Sequence, residues 1–392
     1  MFGLYVHWPF CLSKCIYCDF GSKVLSLDEA SNNDFQRQYC DCCKKQMNYF
    51  FNKIQHNQYQ KQLTSIYFGG GTPSLLKPEN VRHLISEARN LFSLANNCEI
   101  TLEANPTSFE LEKFHHFKEA GVNRLSLGVQ SFDNNELSWL GRKHSARQAI
   151  RAIEEISKIF PKWSFDLIYG LPRQKLDKWL EDLKFALSLN PKHLSLYTLI
   201  VDKNTPLGKM VKTGNVIPKT EDEMADFYDA TNNFLSNTPL RQYEVSNYAY
   251  PNFESRHNLC YWNSYDYIGI GAMAHGRLTY TNGKRYEILN KQKIAEWMIN
   301  ISEQQKNGLK IERPLTKQEQ VEEILIMGLR TKYGINIQEI RSRFNIDLTK
   351  YIHFNKIKDF EKQGLLSLKN NDLVLTYEGV KILDTIVRDV LI

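Results

Sequence analysis

Six short apolar runs, separated by stretches of helical spacing, constrain this chain more than any other feature. They are Phe2 to Trp8, Ser65 to Phe68, Cys98 to Glu103, Arg124 to Gln130, Trp163 to Gly170 and His193 to Ile200. Each is short, rich in β-branched or aromatic residues and bounded by turn residues, the pattern of a buried strand. Between them, Val81, Leu84, Ile85, Ala88, Leu91 and Phe92 fall on one helical face. Thr107 with Glu110, and Ser145 with Gln148, form capping-box pairs that open two further helices. Gly121 stands where a helix end calls for a left-handed residue, and Asp177 is placed to cap a helix carrying Leu180, Leu183 and Leu187. The polar stretch 31–62 reads as the first crossover helix, with Cys40, Cys42 and Cys43 incidental to it. Strands alternating with helices predict a parallel sheet with right-handed crossovers. Six such units make an α/β fold, an incomplete (β/α)6 barrel two units short of eight.

The barrel is expected over residues 1–235, closing on a helix from Thr220 to Leu235 that a Thr220–Glu223 capping box starts. Residues 236–312 read as an aromatic-rich connecting region. Residues 313–392 change to helices followed by a hairpin around Asn370-Asn371, an α+β, winged-helix-like C-terminal domain suited to packing or to covering a site.

Chemistry enters right after the first strand. Cys11, Cys15 and Cys18 stand in Cys-x-x-x-Cys-x-x-Cys spacing. Three thiolates on a four-iron cluster leave one iron without a protein ligand, an open position of the kind a catalytic metal needs. A small molecule offering an amine and a carboxylate can chelate that iron, and S-adenosylmethionine is one. Zinc is the alternative, though it prefers paired Cys-x-x-Cys units and four protein ligands. In α/β barrels chemistry sits at the C-terminal strand ends. Here those ends carry Gly69-Gly70-Gly71-Thr72, Glu103, Gln130, Asp166 and the segment Tyr197 to Ile200. Glycines allow a ligand to approach the backbone closely. Glu103 and Asp166 can accept from an ammonium and from ribose hydroxyls, and Arg142 can pair with a carboxylate.

These residues resemble the radical S-adenosylmethionine superfamily. The resemblance rests on Cys-x-x-x-Cys-x-Tyr-Cys, Gly-Gly-Gly-Thr-Pro-Ser, Glu103-Ala-Asn-Pro, Arg124-Leu-Ser-Leu-Gly-Val-Gln-Ser and Asp166-Leu-Ile-Tyr-Gly-Leu-Pro, and it covers nearly the whole chain. More narrowly, the chain is similar to the group around oxygen-independent coproporphyrinogen III oxidase. The resemblance implies that Cys11, Cys15 and Cys18 ligate a 4Fe–4S cluster. It implies that Tyr5, Tyr17, Gly70, Gly71, Thr72, Glu103, Gln130, Arg142 and Asp166 contact S-adenosylmethionine, with Ile200 against the adenine. The reaction of the superfamily is reductive cleavage of the sulfonium.

Two departures separate the chain from the oxidases. Phe20 stands where their fourth, clustered cysteine would be, and the first strand begins at Phe2, so their N-terminal extension is expected to be missing. Both point to the heme-chaperone branch of the group, whose His-Asn-x-x-Tyr-Trp signature resembles His257-Asn258-Leu-Cys260-Tyr261-Trp262. That branch implies heme as a bound partner, passed to an acceptor protein, a membrane respiratory protein being the candidate, with a separate electron donor. A neutral His257 is then the expected axial ligand, with Cys260 its rival and Tyr261 and Trp262 offering flat apolar surface. A radical decarboxylase of coproporphyrinogen III is the second reading. The apolar runs are too short to cross a membrane, and a cytoplasmic protein with reduced or metal-bound cysteines is expected. The net charge of +6 is spread too evenly to predict a nucleic-acid partner.

Overall fold

A computed structural model describes residues 1–54, 62–107 and 111–392. The six apolar runs are strands: β1 (Phe2–Trp8), β2 (Leu63–Gly70), β3 (Leu94–Ala104), β4 (Arg124–Gln130), β5 (Lys162–Tyr169) and β6 (His193–Thr198). They pair in chain order and run parallel. The crossovers hold α1 (Asn33–Ile54), α2 (Pro78–Leu91), α3 (Phe114–Glu119), α4 (Ala146–Ile159) and α5 (Leu176–Ser188). Ser145 and Gln148 cap α4 reciprocally, and Gly121 follows α3 with φ of 111°. The expected Thr107–Glu110 box involves Glu110, which lies outside the described residues, as do residues 55–61 of the expected first crossover. Asp177 does not cap α5. Lys175 holds that position, and Asp177 sits in the first turn, where its charge complements the helix dipole.

Alternate residues of each strand have opposite character, because successive side chains point to opposite faces. One set packs against the helices: Val6, Phe68, Leu102, Leu127, Leu167 and Leu196 join Met47, Leu84, Phe117, Ile153 and Leu183 in the main core. The other set is polar and faces into the barrel: Tyr5 and His7, Ser65 and Tyr67, Glu99 and Glu103, Arg124 and Ser126, Ser164 and Asp166, His193 and Ser195. Strand register lines these up in layers, with Tyr5 beside Tyr67, Glu103 beside Ser126 and Asp166 beside Ser195.

Residues 236–312, expected as a connecting region, are largely built into the sheet. Rather than connecting, they extend the sheet at both edges after α6 (Glu221–Ser236). On one side β7 (Arg241–Glu244) and β8 (Asn247–Ala249) continue antiparallel from β6. On the other, α7 (Arg256–Trp262) leads to β9 (Asp266–Ile270), a seventh parallel strand beside β1, and then to β10 (His275–Thr279), β11 (Arg285–Asn290) and β12 (Leu309–Pro314). The sheet order is β12-β11-β10-β9-β1-β2-β3-β4-β5-β6-β8-β7. The aromatic density of this region is core packing: Tyr248, Tyr280 and Trp297 belong to the same cluster as the barrel strands.

The C-terminal residues build a separate core running from Val321 to Val390. Its hairpin, Leu366–Lys369 with Asp372–Leu375, turns through Asn370 and Asn371, both left-handed at φ of 53° and 70°. This unit meets the barrel through Arg330 and Glu244 at 3.5 Å, Arg277 and Glu323 at 2.6 Å, and Arg343, which donates to the carbonyls of Asn263 and Ser264 behind α7.

Candidate functional site

At the C-terminal mouth of the barrel the cysteine loop and the ends of β2 to β6 enclose a cavity of about 350 Å³, within the size range of small-molecule sites. Cys11, Cys15, Cys18, Tyr17, Gly70, Gly71, Thr72, Glu103, Gln130, Arg142, Asp166 and Ile200 all line it. Tyr5 lies one layer lower. Its hydroxyl meets His7 Nδ1 at 3.0 Å.

Backbone bonds clamp the cysteine loop. Leu25 N donates to Cys11 O at 2.9 Å, Ile16 N to Leu140 O at 3.3 Å, and Leu207 N to Ile16 O at 2.9 Å. The glycine turn presses on the loop from below. Gly71 N donates to Trp8 O at 2.7 Å and Thr72 N to Phe10 O at 2.9 Å. A Cβ at Gly71 would stand 2.6 Å from Phe10 O, so no larger residue fits there without moving the loop. The N–H groups of the turn are thus committed to the loop and to Glu103, and carbonyl oxygens are what it offers a ligand.

The thiols of Cys11 and Cys18 are pushed up by burial. Cys15 Sγ accepts from Arg142 Nη1 at 3.5 Å. Among the described residues no group of three or more His, Cys, Asp or Glu side chains forms a compact single-ion cage. The three thiols line the mouth from a single loop, a donor set suited to a cluster with an open position. Metal binding would remove the protons that burial favours.

Arg142 Nη2 donates to Asn105 Oδ1 and to Gly128 O, both at 2.6 Å, and Asn105 Nδ2 donates to Thr72 Oγ1 at 3.1 Å. Asn105 therefore ties the arginine to the glycine turn. It was visible within Glu103-Ala-Asn-Pro but was not singled out. Glu103 accepts from the Tyr67 hydroxyl at 2.8 Å and from Gly70 N at 3.3 Å. Burial, and then the charge of Asp166, push its carboxyl up to about 7. Burial likewise pushes Asp166 up to about 6, opposed by hydrogen bonds from Ser195 and Ser126. A cationic ligand placed between two such carboxyls would draw both into the ionised form. Gln130 ends β4 in a left-handed conformation with φ of 73°, just after a slip in strand register. At the rim Phe20 and Ile200 are 64% and 71% exposed. Tyr67, Ser126 and Ser195 were missed in the sequence. Their signal was alternation, since each stands an even number of residues from a recognised mouth residue or from its strand neighbour.

The structure places His257 and Cys260 away from the cysteine loop. Neither lines the mouth. Both lie on α7, which packs under β1 and β2 at the opposite end of the barrel. His257 is 1% exposed, with Ser65 Oγ at 2.9 Å from Nδ1 and Tyr261 OH at 2.7 Å from Nε2. Burial pushes it down to about 3. In this arrangement the one lone pair of the neutral imidazole is engaged by a neighbouring hydroxyl, and the ring has no solvent access. Cys260 is fully buried and pushed up to about 12, with its thiol on Asp266 O.

The family model of the radical SAM superfamily matches residues 5–186, and that of the HemN C-terminal domain matches residues 315–382. The heme chaperone HemW of Buchnera aphidicola (subspecies Schizaphis graminum) is 35% identical over 390 residues, covering 98% of this chain and 97% of that protein. The chain belongs to the HemW family of radical SAM proteins. Heme chaperone HemW of Escherichia coli K12 is 39% identical over 283 residues, covering 72% of this chain and 71% of its own. The HemW family thus accounts for the chain nearly end to end, as Phe20 and the signature on α7 led one to expect. The solved structure of E. coli coproporphyrinogen III oxidase (HemN) shares the fold, with a TM-score of 0.80 over 99% of this chain and 89% of that one, at 21% identity. Among the described residues no helix is long and apolar enough to cross a membrane.

Proposed function

We propose that this protein is a heme chaperone that carries a 4Fe–4S cluster on Cys11, Cys15 and Cys18 and binds S-adenosylmethionine at the cluster's open iron. One observation carries the reading: a chain similar end to end to proteins named heme chaperone HemW gathers three thiols, a glycine turn, two raised carboxyls and an arginine around one cavity. When bound, the cluster supplies one electron to the sulfonium. The protein's own groups bind and orient. Carbonyls of the Gly70–Gly71 turn and Glu103 accept from the ligand ammonium, Arg142 meets its carboxylate, and Asp166 and Gln130 take the ribose hydroxyls. Thr72 holds Arg142 in place through Asn105. Tyr17 and Ile200 flank the adenine with apolar surface, and Tyr5 braces the seat from below.

Heme is the cargo in this reading. It is received in the cytoplasm and handed to an acceptor protein, a membrane respiratory protein being the candidate, with reducing equivalents from a separate electron donor. The test uses the full chain reconstituted without oxygen. It should hold iron and inorganic sulfide in equal amounts, bind S-adenosylmethionine, and give a saturable Soret change on heme titration. Incubation with coproporphyrinogen III, S-adenosylmethionine and a reductant should leave the porphyrinogen unchanged. Formation of protoporphyrinogen IX would overturn the chaperone assignment in favour of a decarboxylase.

A further inference from the structure

Below the cavity, the floor of the barrel is organised around His257. Its ring lies nearly parallel to those of Tyr67, at 5.0 Å and 22°, and Tyr5, at 6.2 Å and 26°. Ser65 and Tyr261 fix its two nitrogens. From this stack two arms rise to the mouth. In one, the Tyr67 hydroxyl donates to Glu103 at 2.8 Å. In the other, Tyr5 reaches His7, which burial keeps neutral by pushing it down to about 4. His7 Nε2 lies 3.1 Å from Gly21 O in the cysteine loop. A carbonyl only accepts, so Nε2 carries the proton, and Nδ1 accepts from the Tyr5 hydroxyl. Below the stack, α7 is held by the C-terminal unit. The Arg330 guanidinium lies 4.7 Å from the Trp262 ring, and Arg343 donates to the two carbonyls that follow the helix.

We infer that His257 is a positioning residue: by fixing Tyr67 and Tyr5 it sets the hydroxyls that orient Glu103 and brace the cysteine loop, and so links the C-terminal unit to the S-adenosylmethionine seat. The inference rests on the proposed reading of Glu103 as a contact of that ligand. It gives the His-Asn-x-x-Tyr-Trp segment a task that needs no exposed imidazole. It also explains why both ring nitrogens are bonded and why the ring packs against both tyrosines that reach upward, which in turn lie 6.2 Å from each other.

The groups facing Glu103 are Tyr67, the Gly70 amide, Asp166, Tyr5 and Tyr261. Of these, Tyr67 and Gly70 donate to it. The test measures S-adenosylmethionine affinity from pH 5.5 to 8.5 on the full, cluster-loaded protein, beside thermal melting and heme titration. Tyr67→Phe removes a donor to the carboxylate. The pH below which affinity falls should then rise by roughly one unit. His257→Phe and Tyr261→Phe should move it the same way by less and weaken binding at pH 7 by about 3- to 10-fold. His257→Gln, which can keep one of the two bonds, should recover part of the loss. Lower melting temperatures with an unchanged pH curve would reduce His257 to a structural residue and overturn the inference. So would loss of the heme response with that curve intact. If His257→Phe does not fold, Tyr261→Phe decides alone. If the wild-type protein takes up cluster but no S-adenosylmethionine, the proposed function fails first and the inference falls with it.

Discussion

The two ends of the same strands carry similar residues to opposite effect. On β3, Glu99 at the floor is 1% exposed as a side chain and sits 3.3 Å from Arg124 and 3.2 Å from Lys162. Its other oxygen accepts the backbone N–H of Arg256 at 2.8 Å. Arg124 also donates to Phe253 O at 2.9 Å, and His193 meets the Tyr243 hydroxyl at 2.9 Å. Four residues further along β3, Glu103 is met by a hydroxyl and an amide rather than by a cation, and its carboxyl is raised. The floor spends its charges on each other and is closed by α7. The mouth keeps Glu103 and Asp166 raised by burial, at a cost in stability that a cationic ligand placed between them would relieve. A polar residue on an inward strand face is therefore not yet a site residue. What separates the two ends is whether a buried carboxylate already has a cation beside it, as Glu99 has in Arg124 and Lys162 and Glu103 has not.

The largest effect that would break this contrast concerns the thiols. Replacing Cys11, Cys15 or Cys18 with serine should drop both iron and sulfide to background while the far-ultraviolet circular dichroism stays native. Retention of metal in all three variants would mean that the mouth is not a cluster site. Next comes the floor. Arg124→Ala leaves the buried Glu99 with Lys162 as its remaining ion-pair partner, and breaking a buried pair costs about 3–5 kcal/mol. Urea unfolding should show that loss, with iron per folded molecule unchanged. A fall in iron content without a fall in stability would place Arg124 in the site rather than beneath it.

The third prediction sharpens the contrast by pH. The carboxyl of Glu103 is ordinarily near 4.5 and is pushed up to about 7 in the fold. The native state therefore holds this proton more tightly than the unfolded chain does. Stability of the ligand-free protein should be highest below about pH 4.5 with respect to this group and fall as pH rises to about 7, by up to about 3 kcal/mol at 1.36 kcal/mol per unit. Glu103→Gln should remove that slope in denaturation measured across pH. A slope equal to wild type would show that Glu103 is not the group held protonated.

Much of this was legible in the sequence. The barrel strands were readable because short runs with turn residues at both ends have few alternatives, and β4 fell on its expected bounds, Arg124–Gln130. The mouth was readable because parallel strands put their C-terminal ends on one side. Three things were not. The added strands β7, β8 and β10 are three to five residues long, and they hold their shape through neighbouring strands rather than through a local pattern. The Asp177 cap failed because a capping residue is defined by backbone position, and α5 starts one residue before it. The placement of the segment around His257 was not legible because an imidazole between aromatic residues reads the same on paper whether it lines a mouth or fills a floor. Both ring nitrogens and the burial had to be seen.

The smallest predicted effect separates function from stability at one residue. Gln130 adopts a left-handed backbone at the end of β4, which costs a residue with a Cβ about 1–2 kcal/mol. Gln130→Gly relieves that strain but gives the unfolded chain more freedom, worth about 0.4–1 kcal/mol in the opposite direction. Stability should therefore rise slightly or stay level. Asn371→Gly in the C-terminal hairpin makes the same backbone trade at φ of 70° and serves as the control. The two variants should differ in ligand binding. Loss of the Gln130 amide should weaken S-adenosylmethionine binding about 5- to 10-fold, the worth of about one hydrogen bond, while Asn371→Gly leaves it at the wild-type value. If Gln130→Gly binds as well as wild type, the strain at β4 serves the register slip beside Gly128 and not the ligand.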